Sequence, residues 1–300
     1  METVNVGGRS IKVSNPGKIF YPRDKITKRM LVQYYVKVSG YMLPHIKDRP
    51  LTMHRFPAGV DREGFYQKEA PHYFPEWIQR YRAVNKTGGD TTYPLCNDAE
   101  SLAYIAEQGC VTLHVWLSRV DKPDQPDKIV FDLDPPGPEF QPARIAALLL
   151  KEFLDKLELS CYVMTTGSRG LHVVLPLKRQ YSFEQTRRFA QRVGKILSKK
   201  YPDHITVEPR KEKRQGRLYL DTTRNSYGQT SVAPYSLRAK NQAPVATPIE
   251  WRELDNSSLN AQSYSIKNIF SKLRREGDPW RNIYNYRCGI KDASEKMLFL

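Results

Sequence analysis

Two aspartates one residue apart, Asp132 and Asp134 in KIVFDLDPPGP, close a short apolar run. Along an extended strand, residues two apart point to one face about 6.6 Å from each other, so the pair can share a site while Leu133 packs behind. Like charges held so close repel and raise one pKa unless cations occupy the space between them. Two divalent ions about 3.5 to 4 Å apart would suit the pair together with a third carboxylate. Asp221, at the end of RLYLD, is the candidate third ligand. A DxD pair alone also occurs in nucleotide-sugar glycosyltransferases and hydrolases, and solvated aspartates before a Pro-Pro turn are its plainest explanation.

Groups able to hold an anion lie close by in the sequence. TTGSRGLH, residues 165 to 172, offers glycines that let backbone amides approach a phosphate, with Thr166, Ser168, Arg169 and His172 as further donors. The lysine and spacing of a Walker loop are absent and no helix follows, which disfavours a P-loop ATPase. Arg224 and Arg238, in DTTRNSYGQTSVAPYSLRA, are cations suited to clamping phosphates or a nucleic-acid backbone. His114, in VTLHVW, precedes Asp132 by 18 residues and can reach the same site, although a lone histidine among apolar residues is more often a core group.

Positioning these groups falls to a run of elements that begins at the aspartates. Prolines bracket the strand KIVFDLD, and a helix follows in PARIAALLLKEFLDKLEL, where Ile145, Leu148, Leu149, Phe153 and Leu157 take helical spacing. CYVMTT and LHVVLPL read as strands joined by the GSRG turn. SFEQTRRFAQRVGKILSKKY reads as a second helix whose Ser182 and Gln185 form a capping box, and RLYLDTT closes the series. The order β, α, β, β, α, β is that of a ferredoxin-like or RRM-like module, an α+β arrangement with helices on one face of the sheet. Its first strand would lie between the third and fourth, placing Asp132 and Asp134 beside His172 and near Asp221. HITVE, residues 204 to 208, is a competing fourth strand.

The rest of the chain sets the partners. Its 300 residues hold 48 Lys and Arg against 32 Asp and Glu, a net charge of +16 that points to a polyanion, with nucleic acid the leading candidate. No apolar stretch approaches the roughly 18 to 20 residues of a membrane span, and METVNVGGRSIKV lacks the apolar core of a signal peptide, so a cytoplasmic, DNA-associated protein without membrane contact is expected. Cys96, Cys110, Cys161 and Cys288 form no CxxC pair and imply neither a zinc cage nor a disulfide framework. Residues 1–300 read as one catalytic unit, with lobes over 1–125 and 126–300.

Taken in order, FDLDPP, TTGSRGLHVVLPL and YLDTTRNSYGQTSVAPYSLRA resemble the three motifs of the archaeo-eukaryotic primase superfamily, and more closely the polymerase domain of bacterial ligase D and its stand-alone relatives. SNPGKIFYP, TKRMLVQYY, LPHIKDRPLT, GFYQKEAPHYFPEW and AYIAEQGCVTLHVWLSR extend the likeness over nearly the whole chain. The resemblance implies a primase-polymerase fold, with the βαββαβ module joined to an amino-terminal α/β lobe. It also implies template-dependent nucleotidyl transfer in non-homologous end joining, with a preference for ribonucleotides and for short gaps carrying a 5′-phosphate. Asp132, Asp134 and Asp221 match the ligands of two Mg²⁺ or Mn²⁺ ions. Thr166, Arg169, His172 and Arg238 match residues that bind the nucleoside triphosphate, His114 a histidine near the nucleotide, and Arg224 a basic residue beside the third aspartate. Asn15, Lys18 and Lys28 match a pocket for the 5′-phosphate of gapped DNA, and Phe65 and Tyr66 match two aromatics that stack on template bases. Ku and a DNA ligase are the implied partners. Arg169, Thr166 and His54 depart from the residues often found at those places, His54 standing where some relatives carry lysine.

Two other functions use the same residues differently. A primase would start chains without a primer, and a nucleic-acid-binding module would keep salt-sensitive DNA binding without metal-dependent incorporation.

Overall fold

The computed structural model describes residues 1–84 and 88–299. The chain opens with two hairpins, β1 (Glu2–Val6) with β2 (Arg9–Val13), and β3 (Ile19–Tyr21) with β4 (Ile26–Thr27). Thr27 caps helix α1 (Lys28–Ile46) by accepting the Met30 N–H, the usual service of a hydroxyl at a helix start. Strands β5 (Leu51–Arg55) and β6 (Phe65–Gln67) follow, then the hairpin β7 (Arg80–Val84) and β8 (Asp90–Pro94). Helix α2 (Ala99–Glu107), capped by Asp98 on the Ser101 N–H at 2.7 Å, leads into β9 (Cys110–Trp116).

The second half supplies β10 (Lys128–Asp134), α3 (Gln141–Lys156), β11 (Tyr162–Thr165), β12 (Leu171–Pro176), α4 (Phe183–Lys200), β13 (Ile205–Thr206) and β14 (Leu218–Asp221). Beyond them lie β15 (Thr230–Val232), β16 (Thr247–Ile249), α5 (Ile269–Glu276) and α6 (Lys291–Lys296). The six-stranded sheet runs β13-β14-β10-β12-β11-β16. Its central four strands are the expected βαββαβ module, with the aspartate strand between the third and fourth. RLYLD is the fourth strand, and HITVE contributes only β13, which pairs in parallel with β14 at the edge. The capping box at Ser182 and Gln185 is formed.

The apolar face expected for α3 is rotated. Ala143, Ala146, Ala147, Leu150, Phe153 and Leu154 are buried, whereas Leu148 is 40% exposed. Alanines let the helix lie close on the sheet, so the large side chains do not mark the seam. Leu148 to Leu150 in sequence hide the phase.

A four-stranded sheet, β15-β9-β5-β6, forms the second layer. Its core side buries Leu51, Met53, Val111, Leu113 and Val115 with α1 and α2. The amino-terminal lobe is not contiguous in sequence: β15 joins its sheet, and Tyr235, Leu237, Val245, Ile269 and Leu273 join its core.

Alternation along the strands then brings the two sheets together. On β10, Ile129, Phe131 and Leu133 pack in the core that holds α3 and α4 residues, so Val130, Asp132 and Asp134 take the opposite face. On β9 the same rule turns His114 away from α1 and α2. Val130 and Val174 meet Val232 of β15 in a smaller apolar cluster between the sheets, and the polar members of both inner faces lie beyond it. No helix among the described residues is long and apolar enough to cross a membrane. The four cysteines are free, with Cys96, Cys110 and Cys161 buried.

Candidate active site

Asp132 sits at the centre of the inner face, paired in register with His172 of β12 on one side and Asp221 of β14 on the other. Directly paired residues share a face, which gathers all three. The His172 Nε2 stands 3.4 Å from Asp132 Oδ1, and the Arg224 Nε 3.6 Å from Oδ2. Burial pushes the Asp132 carboxyl up, but His172 and Arg224 outweigh it and hold the group below the usual carboxylate range. Asp134 goes the other way: burial raises its carboxyl, and the charges of Asp132 and Asp221 add to the rise. Asp221 accepts the Thr223 N–H at 2.7 Å.

The Thr166–Gly170 turn closes the mouth of this face. Thr166 Oγ1 donates to Gly170 O at 3.0 Å and accepts the N–H groups of Ser168 and Gly170 at 3.3 Å. Its hydroxyl therefore shapes the turn. Gly170 is required by proximity, because a Cβ there would lie 1.9 Å from Leu133 O. Arg238 Nη1 donates to Thr166 O at 2.9 Å, tying the turn to the loop after β15.

The opposing sheet contributes His114, whose buried Nε2 has no hydrogen-bond partner among the described residues. Burial, followed by the nearby Arg238, His54, Arg224 and His172, pushes its pKa well below the ordinary histidine value. It is a neutral imidazole facing a cavity of about 140 Å³, which is also lined by Asp132, Asp134, Thr166, Ser168, Arg169, His172, Arg224 and Arg238. Thr230 and Ser231 also line it, and neither was singled out from sequence. His54 stacks on Tyr66 with ring centroids 4.0 Å apart, and Tyr66 meets His114 edge-on at 5.7 Å. Phe65 turns the other way, with the Arg55 guanidinium 5.6 Å from its ring. Neighbours on one strand point to opposite faces, so the two aromatics serve different surfaces.

Asn15, Lys18 and Lys28 gather around a second cavity of about 260 Å³. Asn15 takes a positive φ of 47° in the turn before β3. Lys18 Nζ donates to Pro57 O at 2.6 Å. Lys28 is buried and already paired, its Nζ 2.6 Å from Glu107 Oε1 and 2.8 Å from Ser14 Oγ. Arg55 lines the same cavity, held by Gln108 O, Gln67 and Tyr73.

A family model described as the LigD primase-polymerase domain matches residues 27–280. The chain belongs to that family. It is 34% identical over 272 residues to the multifunctional non-homologous end joining protein LigD of Mycolicibacterium smegmatis, an overlap covering 89% of this chain and 35% of that protein. With the bifunctional non-homologous end joining protein LigD of Bacillus subtilis it shares 32% identity over 269 residues, 89% of this chain and 43% of the other. The chain thus spans well under half the length of these relatives. The solved polymerase domain from Mycobacterium tuberculosis ligase D, a complex with DNA, superposes with a TM-score of 0.86 at 33% identity, over 93% of this chain and 99% of that one. As a LigD primase-polymerase domain the chain is a nucleotidyltransferase.

Within this LigD-type domain, sequence reasoning missed Arg55 and Glu107. Glu107 ends α2 and Arg55 ends β5, and nothing local marks either as facing Lys28 or its cavity.

Proposed function

We propose that this chain performs template-dependent addition of nucleotides to a primer end, filling short gaps at DNA breaks during non-homologous end joining, with a preference for ribonucleotides. The observation that carries the reading is the meeting of Asp132, Asp134, His172, Arg224, Arg238 and the Thr166–Gly170 turn in one cavity.

The residues fit divalent cations by their chemistry. Among the described residues no three His, Cys, Asp or Glu side chains are already grouped as a metal cage, yet Asp132, Asp134 and Asp221 share one face, and burial together with the two neighbouring carboxylates pushes the Asp134 carboxyl up. A set of hard oxygen donors without thiolate suits Mg²⁺ or Mn²⁺. Bound there, such ions would lower the pKa of the primer hydroxyl and offset charge on the triphosphate.

The protein's own groups do the rest. Ser168, Arg169 and Arg238 present donors to the triphosphate, and the turn backbone brings amides close to it. Neutral His114 offers a ring nitrogen to the nucleotide. Arg224 and His172 keep Asp132 ionised. Lys18, Lys28 and Asn15 would receive the 5′-phosphate across the gap, with Arg55 adding a fourth donor. Tyr66, stiffened by His54, and Phe65 would stack on bases, at roughly 1–3 kcal/mol per base. Ku and a DNA ligase are the expected partners, in the cytoplasm at DNA ends.

The test is incorporation on a one-nucleotide gap, with and without the 5′-phosphate, supplying ribo- or deoxyribonucleotides with Mg²⁺ or Mn²⁺. Metal-dependent addition favouring ribonucleotides and the phosphorylated gap is expected. Indifference to the phosphate with efficient unprimed synthesis would instead identify a primase, and DNA binding without incorporation a non-catalytic module.

A further inference from the structure

The strand that carries Asp132 has an incomplete partner. β14 pairs with β10 only at Asp132, Leu133 and Asp134, because the chain leaves the sheet after Asp221 and enters a single turn of 3-10 helix at Thr223–Asn225. Residues two apart on a strand send their N–H and C=O groups to the same edge. The Val130 rung, next to that of Asp132, would therefore lie bare where β14 has ended.

It is filled by a side chain. Asn225 Oδ1 accepts the Val130 N–H at 2.8 Å, and its Nδ2 donates to Val130 O at 2.8 Å and to Thr222 O at 3.0 Å. The amide reproduces the donor and acceptor of a strand residue, and Asn225 is 1% exposed. A carboxamide offers both groups on separate atoms at this reach. The same residue closes the turn that presents Arg224, whose Nε lies 3.6 Å from Asp132 Oδ2.

We propose that Asn225 is a positioning residue for nucleotidyl transfer: by standing in for the missing strand at Val130, it fixes the place of Asp132 two residues on and of Arg224 one residue before. This rests on the polymerase reading of the site. Asn225 touches no reacting group. Its effect passes through β10 and through Arg224.

The experiment has two arms. Amide hydrogen exchange in the wild-type chain, Asn225→Ala and Asn225→Asp reads the clamp without reference to activity. Strong protection of the Val130 amide is expected in the wild type, loss in Asn225→Ala, and retention in Asn225→Asp, which keeps the acceptor but loses the donor. Single-turnover incorporation on a phosphorylated one-nucleotide gap reads the consequence. Asn225→Ala and Asn225→Asp should both slow the step about 100-fold, the scale of a displacement near 1 Å, with affinity for the gapped DNA within about 2-fold of wild type by the same argument. In the Arg224→Ala background, Asn225→Ala should add less than the roughly 100-fold it costs alone, since the part of its effect that passes through Arg224 is already lost and residues acting through one another are not additive. An unprotected Val130 amide in the wild type, near-normal incorporation by both variants, or a full multiplicative loss in the double variant would each overturn the proposal. Should Asn225→Ala not fold, Asn225→Asp decides. A wild-type chain that protects Val130 but incorporates nothing would sink the polymerase reading and with it the positioning role, while leaving the clamp itself established.

Discussion

Asp132 and Asp221 face each other as direct partners across the β10–β14 ladder, but their surroundings differ: Asp132 meets His172 and Arg224, while Asp221 is held by the Thr223 N–H. Burial raises the Asp134 carboxyl, and the charges of both add to the rise. An Asp132 carboxyl held below the usual range thus stands beside an Asp134 carboxyl raised above it, on the face where the proposed divalent ions would bind.

Substitution of Asp132 by alanine should accordingly abolish nucleotide addition while leaving the fold and DNA affinity in place. A loss of roughly 1,000-fold in rate, equivalent to about 4 kcal/mol, is the expected scale. Primer extension measures the first effect and fluorescence anisotropy on labelled gapped DNA the second. Chelation of divalent ions should match the variant's phenotype, and a variant that binds DNA but still extends primers in metal would remove Asp132 from the reaction.

The two lysines of the second cavity should separate. Lys18 is exposed and, among the described residues, its Nζ bonds only the Pro57 carbonyl, so Lys18→Ala should weaken the preference for a 5′-phosphorylated gap with little change in thermal stability. Lys28 is buried against Glu107, and removing one partner of a buried pair costs about 3–5 kcal/mol. Lys28→Ala should therefore lose both the phosphate preference and stability. Equal stability losses in the two variants by denaturant unfolding would contradict this division.

His45 predicts an acid-sensitive fold. Buried among Tyr235, Trp280 and Tyr284, with neither ring nitrogen partnered among the described residues, it has its pKa pushed down to about 3 by burial first and then by Lys128, Arg49 and Arg119, while Asp127 pulls the other way. Between about 3 and the ordinary histidine value of 6.5, the unfolded chain takes up a proton that the folded chain refuses. Stability is thus fully present above pH 6.5 and falls as the pH drops through that window, by up to about 1.4 kcal/mol per pH unit from this residue. Urea unfolding of wild type and His45→Leu between pH 7 and pH 4 should show a steeper loss for the wild type. Parallel curves would mean that His45 ionises freely in the fold.

Arg49 joins the two layers. Its guanidinium reaches both oxygens of Asp127, just before β10, and also the carbonyls of His45, Trp116 and Ser118 and the Tyr284 hydroxyl. Arg and Asp are both fully buried there. Arg49→Ala should cost about 3–5 kcal/mol by leaving the buried Asp127 carboxylate to Arg119, whose Nε stands 3.1 Å from Oδ2, and by stripping a donor from the His45, Trp116 and Ser118 carbonyls. Arg49→Lys should recover little, because an ammonium cannot reproduce the planar fork. Near-wild-type unfolding midpoints would refute both expectations.

The catalytic sheet was legible because its signals are local. Alternation around Asp132, the GSRG turn and the capping box at Ser182 each sit within a few residues, and topology did the rest by placing His172 and Asp221 beside Asp132. What escaped depends on contacts distant in sequence. Glu107 reaches Lys28 across 79 residues and Asn225 reaches Val130 across 95, and no periodicity encodes either. Phe65 and Tyr66 looked like one stacking pair in sequence, but strand geometry parts them.

Gly170 offers the most direct probe of how the turn and the aspartate strand depend on each other. A Cβ at this position would lie 1.9 Å from Leu133 O and 3.2 Å from Pro135 Cδ, against backbone and a proline ring that cannot swing aside. Gly170→Ala must therefore lift the Thr166–Gly170 turn off β10 between Asp132 and Asp134. Overpacking of this kind costs about 1–3 kcal/mol in stability. A shift near 1 Å at the site should also slow incorporation about 100-fold. Gly137→Ala is the matched control, since nothing lies within 4 Å of its added methyl and an unobstructed surface change stays within about 0.5 kcal/mol. If both variants extend primers at the wild-type rate, the close approach of Gly170 to Leu133 plays no part in holding the two aspartates where the reaction needs them.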